Sequence, residues 1–269
     1  MKRKQATATA EVSDPSFGQL DQMDEAVPRP AEVSKNTLIK NGAVVETWAV
    51  SLQEIYDNND LRLDASHYDR QTAAALKQLS KSPYPLRALS AMATINLPSQ
   101  FVRIWAKDKE HGIPYVNASD LMGLTGIGIF SGSARYLSRQ TETDVDALII
   151  REGWLLMTCS GTIGRIFYVP QRLDGWVATH DLIRIIPNKD VPVGFLHAYL
   201  SSPVAQQQIA GHTHGGQIDH ITHHQIGGVV MPDMPKEKKQ AIHIRTMKAL
   251  DLREKAIAAL AEIAEDVKA

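Results

Sequence analysis

Apolar and polar residues are distributed in three different ways along this chain, and each distribution marks a region. From the start to about residue 45, apolar positions are sparse among Ala, Thr, Ser, Pro and acidic residues. Pro28-Arg29-Pro30 disfavours any regular element across it, and the composition predicts a disordered tail over residues 1–45. An ordered unit is expected from about residue 46, near Trp48. There Val50, Leu52 and Ile55 have mixed spacing, and Asn58-Asn59-Asp60 is a turn signal. Residues 65–79 can form a helix with Tyr68, Ala75 and Leu79 on one face, ended by Pro83 and Pro85.

The middle of the chain changes period. Phe101-Val102-Arg103-Ile104-Trp105, Ile113-Pro114-Tyr115-Val116 and Ala147-Leu148-Ile149-Ile150 are short β-prone runs. So are Trp154-Leu155-Leu156-Met157, Ile166-Phe167-Tyr168-Val169 and Leu182-Ile183-Arg184-Ile185-Ile186, each broken from the next by Gly, Pro or polar turns. This pattern predicts a mixed α+β domain of irregular topology over residues 46–235. One longer helix stands out at residues 193–209, with Phe195, Leu196, Tyr199 and Leu200 apolar and Pro203 placed to bend or split it.

After Pro235 no further Gly or Pro occurs, and strong helix formers dominate. Met247, Leu250, Ile257, Leu260, Ala264 and Val267 form an interrupted apolar stripe at helical spacing. Residues 236–269 therefore predict a long C-terminal amphipathic helix of roughly 45 Å. That length suits packing against another long helix, as in a dimer or coiled coil. The plainer reading is a terminal helix folded back on its own domain.

Composition narrows the picture only slightly. The 29 basic and 30 acidic residues give a formal net charge of -1, which argues neither for nor against nucleic acid. No apolar run approaches the length of a membrane-spanning helix, and the basic start lacks the apolar stretch of a secretory signal. Cys159 is the single cysteine, so an intrachain disulfide is excluded and a reducing, cytoplasmic setting is expected.

The sharpest local signal is Thr158-Cys159-Ser160-Gly161-Thr162-Ile163-Gly164-Arg165, between two β-prone runs. Gly161 and Gly164 permit a tight turn, while Arg165 has the reach to meet a phosphate or a guanine edge. No GxxxxGK[ST] pattern is present, so this is not a P-loop. Taken alone, the residues favour a purely structural turn.

In context, the segment EGWLLMTCSGTIGR resembles a sequence block of type I restriction-enzyme specificity subunits. The resemblance extends upstream to Gly112-Ile113-Pro114-Tyr115-Val116 with Asp120 and Leu121, and downstream to Ala178-Thr179-His180-Asp181-Leu182. It continues through Gly194-Phe195-Leu196-His197-Ala198-Tyr199-Leu200-Ser201-Ser202-Pro203, through Gly215-Gly216-Gln217-Ile218-Asp219-His220-Ile221, and through Val230-Met231-Pro232. Roughly residues 86–269 are covered, and the order of the blocks carries the specificity. Two departures stand out. Such subunits usually carry two target-recognition domains and two long helices, whereas this chain has room for one of each. The long helix also opens Pro235-Lys236-Glu237-Lys238-Lys239-Gln240 rather than with the commoner P-L-x-E-Q-x-x-I, a pattern that Gln240 and Ile242 retain only loosely.

The resemblance implies a non-catalytic target-recognition domain that reads half of a bipartite site in double-stranded DNA. It implies an adenine methyltransferase partner and a restriction subunit; the departure to one domain and one helix leaves two expectations open, a half-subunit that forms a homodimer through the C-terminal helix or a truncated or split product. No cofactor is expected in this chain; the partners would use S-adenosylmethionine, ATP and magnesium. Within this reading, DNA contacts are expected from Ser99, Gln100, Arg103, Lys107, Lys109, Ser131, Ser133, Arg135, Arg139, Arg165 and Arg172. Arg and Gln pair with base edges, and Lys more often with phosphate. Asn96-Leu97-Pro98-Ser99 is not a methyltransferase motif, and Asp144-Val145-Asp146 alone does not make a nuclease. His212, His214, His220, His223 and His224 lack the converging spacing of a zinc site. The alternative is an assembly protein that keeps the fold without reading sequence.

Overall fold

A computed structural model of the chain describes residues 36–40, 43–47, 49–56, 68, 70–125, 135–141, 144–213 and 220–267. Two compact units are present, Met1–Glu54 and Ile55–Ala269. In the first, strands β1 (Asn36–Lys40) and β2 (Ala43–Thr47) pair antiparallel, with Asn36 opposite Thr47 and Lys40 opposite Ala43. These two strands stand where the sequence predicts a tail without regular elements. Ile39, Val44, Val45 and Thr47 are β-branched, and Asn41-Gly42 is a strong hairpin-turn signal. The polar stretch before them obscures both.

A short helix α1 (Leu52–Tyr56) follows, then α2 (Arg70–Leu79), β3 (Leu86–Ala88), β4 (Ala93–Asn96), β5 (Trp105–Ala106), β6 (Gly112–Val116) and α3 (Ala118–Thr125). The chain continues through β7 (Arg135–Ser138), β8 (Leu155–Thr158), β9 (Ile166–Tyr168), β10 (Val177–Ala178) and β11 (Leu182–Pro187). It ends with α4 (Val193–Leu200), α5 (Pro203–His212), α6 (His223–Gly227), β12 (Val230–Pro232) and α7 (Lys236–Asp266). The expected α+β class holds.

The first four-stranded sheet is wholly antiparallel, in the order β4-β11-β8-β9. Strand β8 is buried along its whole length because both faces of the sheet are covered. Leu155 and Met157 enter one core with Ile183, Ile185, Phe195, Leu196, Leu200, Ile209 and Ile226, which packs α4, α5 and α6 beneath the sheet. Leu156, on the other face, joins Phe167, Leu182, Val116, Leu121 and Ile150. Strand side chains alternate between faces, so a doubly covered strand reads as a continuous apolar run. Each fully buried Leu or Ile contributes about 1.5–3 kcal/mol.

The second sheet has the order β10-β6-β7-β5, with β10 parallel to β6 and the other pairs antiparallel. Its own small core comprises Ile113, Tyr115, Leu137, Val145, Leu148 and Val177, with Phe101 packed against it. Between the two sheets lies Arg184, 1% exposed, on the face of β11 opposite Ile183 and Ile185. Its Nη1 donates to the carbonyls of Thr179 and Leu182 at 2.9 and 2.5 Å, and its Nη2 to those of Ala178 and Leu148 at 2.8 and 3.4 Å. Burial lowers its guanidinium to about 10, chiefly by desolvation. It remains a cation at neutral pH.

The predicted helix at residues 193–209 is split as Pro203 suggested. Pro203 begins α5 and Ser202 caps it, the hydroxyl accepting from the Ala205 N–H at 3.4 Å. Helix α6 has a reciprocal capping box between Thr222 and Gln225, a signal present in Thr222-His223-His224-Gln225 but too short to show as a period. Helix α7 has 31 residues and packs along α4. Leu250 is buried on this side, and Ile242, Met247, Ile257 and Leu260 are half-buried. No described helix is long and apolar enough to cross a membrane.

Candidate functional site

The signature turn between β8 and β9 is held from every side. Thr158 Oγ1 donates to the Thr162 carbonyl at 2.5 Å and accepts from the Arg165 N–H at 3.1 Å. The Gly164 N–H donates to the Thr158 carbonyl at 3.1 Å. Gly164 takes φ +85°, and a Cβ there would stand 2.9 Å from Gln206 Oε1. Gln206 Nε2 donates to the carbonyls of Gly164 and Leu200 at 2.8 and 2.7 Å, joining the turn to the α4–α5 break. Cys159 is buried, and desolvation raises its thiol to about 11. A thiol so protonated and enclosed is a poor nucleophile. The turn is a structural joint, and only Arg165 at its end is exposed with a reaching side chain.

Most of the polar residues expected as contacts lie around the second sheet. Ser99 and Gln100 are exposed ahead of β5, and Lys107 and Lys109 are exposed in the turn between β5 and β6. Arg135 opens β7 with its guanidinium carbon 5.5 Å from the centroid of the Trp105 ring, within cation–π range. Arg139 follows β7, is exposed, and approaches Asp146 at 3.9 Å. Ser131 and Ser133 lie outside the described residues.

Arg103 faces inward. Its Nε donates to Tyr115 Oη at 2.8 Å and its Nη2 to Thr179 Oγ1 at 3.2 Å, with Asp181 at 4.0 Å. Phe101 and His180 stack edge-to-face beside it with centroids 5.8 Å apart. Burial holds the His180 imidazole below its usual range, opposed by Asp181 and reinforced by Arg103 and Arg184. Arg172 is committed elsewhere: its Nε meets Glu254 of α7 at 2.6 Å, so it ties the domain to its terminal helix.

Three exposed apolar residues at this edge of the second sheet were not singled out by sequence, Val102 and Ile104 on one face and Trp105, across from Leu137, on the other. Val102 is 79% exposed, Ile104 42% and Trp105 43%. In the sequence they are one more β-prone run, and nothing in their spacing separates them from buried runs such as Leu155-Leu156-Met157.

The histidines make no metal centre among the described residues, where no group of three or more His, Cys, Asp or Glu converges. The rings of His223 and His224 lie 4.0 Å apart, and burial together with His224 lowers the His223 imidazole. His220 is exposed, and His214 lies outside the described residues.

The helix residues expected at an interface divide. Met247, Leu250, Ile257 and Leu260 belong to the half-buried or buried stripe of α7, while Val267 is exposed. Ile244, Leu252 and Ile263 are also exposed, at 59%, 57% and 56%.

The family model for the type I restriction modification DNA specificity domain matches residues 91–265. Among solved structures, the chain is similar to the HsdS subunit from Thermoanaerobacter tengcongensis, with 15% identity over 79% of this chain and 50% of that one, at a TM-score of 0.45. It is also similar to the type I restriction-modification S subunit from M. genitalium, with 15% identity over 71% of this chain and 45% of that one, at a TM-score of 0.44. The chain thus spans about half the length of these proteins. No match emerges among curated proteins.

Proposed function

The chain belongs to the type I restriction modification DNA specificity domain family, and we propose that it is a non-catalytic, sequence-specific DNA-recognition subunit. In this role it directs an adenine methyltransferase, and with it a restriction subunit, to a bipartite site. The observation that carries the reading is the extent of the family match, residues 91–265, which takes in both sheets and nearly all of α7. The grouping of exposed Lys107, Lys109, Arg135 and Arg139 around one sheet supports it, since cations position a protein on the phosphate backbone.

One domain of this kind with one long helix reads one half-site. Pairing of two copies through α7 supplies the second half and makes the site symmetric. Because Leu250 is buried within the chain, the surface for that pairing is the opposite row of α7, Ile244, Leu252 and Ile263. The same row would serve an assembly protein that does not read DNA.

Selection from a randomised duplex library, with and without the methyltransferase encoded beside it, separates the two. A bipartite, symmetric motif is the expected result. Salt-sensitive binding without a motif would favour the assembly reading.

A further inference from the structure

Strand β5 ends the second sheet with one side unpaired. In its ladder with β7, the Ser138 N–H donates to the Ile104 carbonyl at 2.8 Å, and Trp105 stands opposite Leu137. Hydrogen-bonded and non-bonded pairs alternate along an antiparallel ladder. Residues 104 and 106 therefore bond to β7, while 103 and 105 turn their N–H and C=O groups the other way. Pro114 agrees with this phase: it has no N–H and stands opposite Tyr136 on the far side of β7, where the alternation requires a non-bonded pair. The backbone N–H and C=O groups of Arg103 and Trp105 meet no partner among the described residues. Donors and acceptors repeating at every second residue are what another polypeptide strand completes.

The two faces of this edge differ, and together they specify the strand. Val102 and Ile104 are exposed on one face. Trp105 lies on the other, edge-to-face with Tyr115 at 5.1 Å and with the Arg135 guanidinium over its ring. The next step of the register sets Lys107 across from Arg135 on that same face. Both cations are exposed, and neither pairs with a carboxylate among the described residues. Like charges directly opposite on a sheet repel, and an added carboxylate relieves the repulsion. Side chains of an incoming strand alternate between faces. Apolar ones then cover Val102 and Ile104, and acidic ones meet Lys107 and Arg135. A second copy of β5 is a poor match, because it would bring another Lys107 and Arg135 to the same face.

We propose that the free edge of β5 captures an extended segment of a partner protein in which acidic and apolar residues alternate, added as a further strand. Its acidic residues pair with Arg103 and Trp105 through the backbone, and its apolar residues lie beside Val102 and Ile104. Capture is independent of DNA recognition, and where both occur they compete for Lys107 and Arg135.

The probe is the peptide acetyl-Glu-Val-Glu-Val-Glu-Val-Glu-amide, added to the full chain without DNA. At about ten times its Kd it should slow hydrogen exchange of the Arg103 and Trp105 amides about 10-fold. Methylating the glutamate amide nitrogens removes the donors that face β5 and should abolish binding. Methylating the valine nitrogens, which point away from β5, should leave it. Replacing the glutamates by lysine, or combining Lys107→Ala with Arg135→Ala, should weaken binding by at least roughly 3-fold. Both protein substitutions are at exposed side chains, and thermal unfolding within a few degrees of wild type confirms that the sheet is intact. Equal binding of the lysine peptide, indifference to glutamate methylation, or no slowing of either amide at about 1 mM peptide would each overturn the proposal and leave DNA recognition standing.

Discussion

The backbone N–H of Gly194 donates to Nδ1 of His243 at 3.0 Å, and a Cβ on Gly194 would lie 2.8 Å from that same nitrogen. The start of α4 and the second turn of α7 touch here with no room between them, and the imidazole supplies an acceptor for an otherwise unpaired helix N–H. Gly194→Ala should therefore destabilise the domain by about 1–3 kcal/mol. Urea unfolding measures the loss, and hydrogen exchange should place it first in α7. An alanine variant as stable as wild type would show that the helices separate without cost.

One turn further along α4, His197 is neutral. Desolvation first, and then Arg253 on α7, lower its imidazole to about 4. The unfolded chain, titrating near 6.5, binds the proton more readily. Stability from this group is complete above about pH 6.5 and is lost as pH falls from there to about 4, by up to about 3 kcal/mol. His197→Asn should flatten the pH dependence by about one proton across that window. An unchanged slope would assign the acid sensitivity to His180 or His223, both also lowered by burial.

Arg135 and Arg172 should behave oppositely. Arg135 is exposed with an aromatic ring beneath it, whereas Arg172 holds Glu254. Arg135→Ala should weaken DNA binding by about 3- to 10-fold and reduce the salt slope by about one. Arg172→Ala should leave binding nearly unchanged and cost no more than about 1 kcal/mol of stability, because the pair is partly solvent-screened. Affinity measured across a salt series distinguishes them.

Pairing through α7 predicts that Leu252→Glu with Ile263→Glu abolishes the dimer without unfolding the monomer, since both side chains are more than half exposed. Light scattering and thermal unfolding together check this. Leu250→Ala should do the reverse, lowering stability by about 2–5 kcal/mol. A double-glutamate variant that still dimerises would move the contact off this row.

Strong local signals in the sequence survive folding. The period of α7, the break at Pro203 and the β-prone run that forms β8 were legible because helix and strand periodicity and proline sterics act locally. The site was less so. Arg103, Arg135 and Arg172 are chemically identical in sequence, and only tertiary neighbours distinguish an inward anchor, an exposed cation and a helix tether. The apolar stripe on α7 was visible, but not which side of the helix would be covered, because Leu250 and Leu252 lie on different faces and both are leucine. Arg184 was hidden as well: a cation in a run of aliphatics marks an exposed position more often than a buried one, and its carbonyl partners come from segments up to 36 residues away.

Arg184 has a consequence for the order in which the domain assembles. Its four carbonyl partners belong to Leu148, Ala178, Thr179 and Leu182, so they are gathered only when β11 of one sheet has met the end of β10 from the other. A folding intermediate with a single completed sheet would have to keep the guanidinium in water and leave its slot between the sheets open. Neither sheet then completes its buried face without the other, which ties the two into one cooperative unit. The second sheet cannot then loosen by itself: it is either fully formed or lost together with the sheet that carries β11.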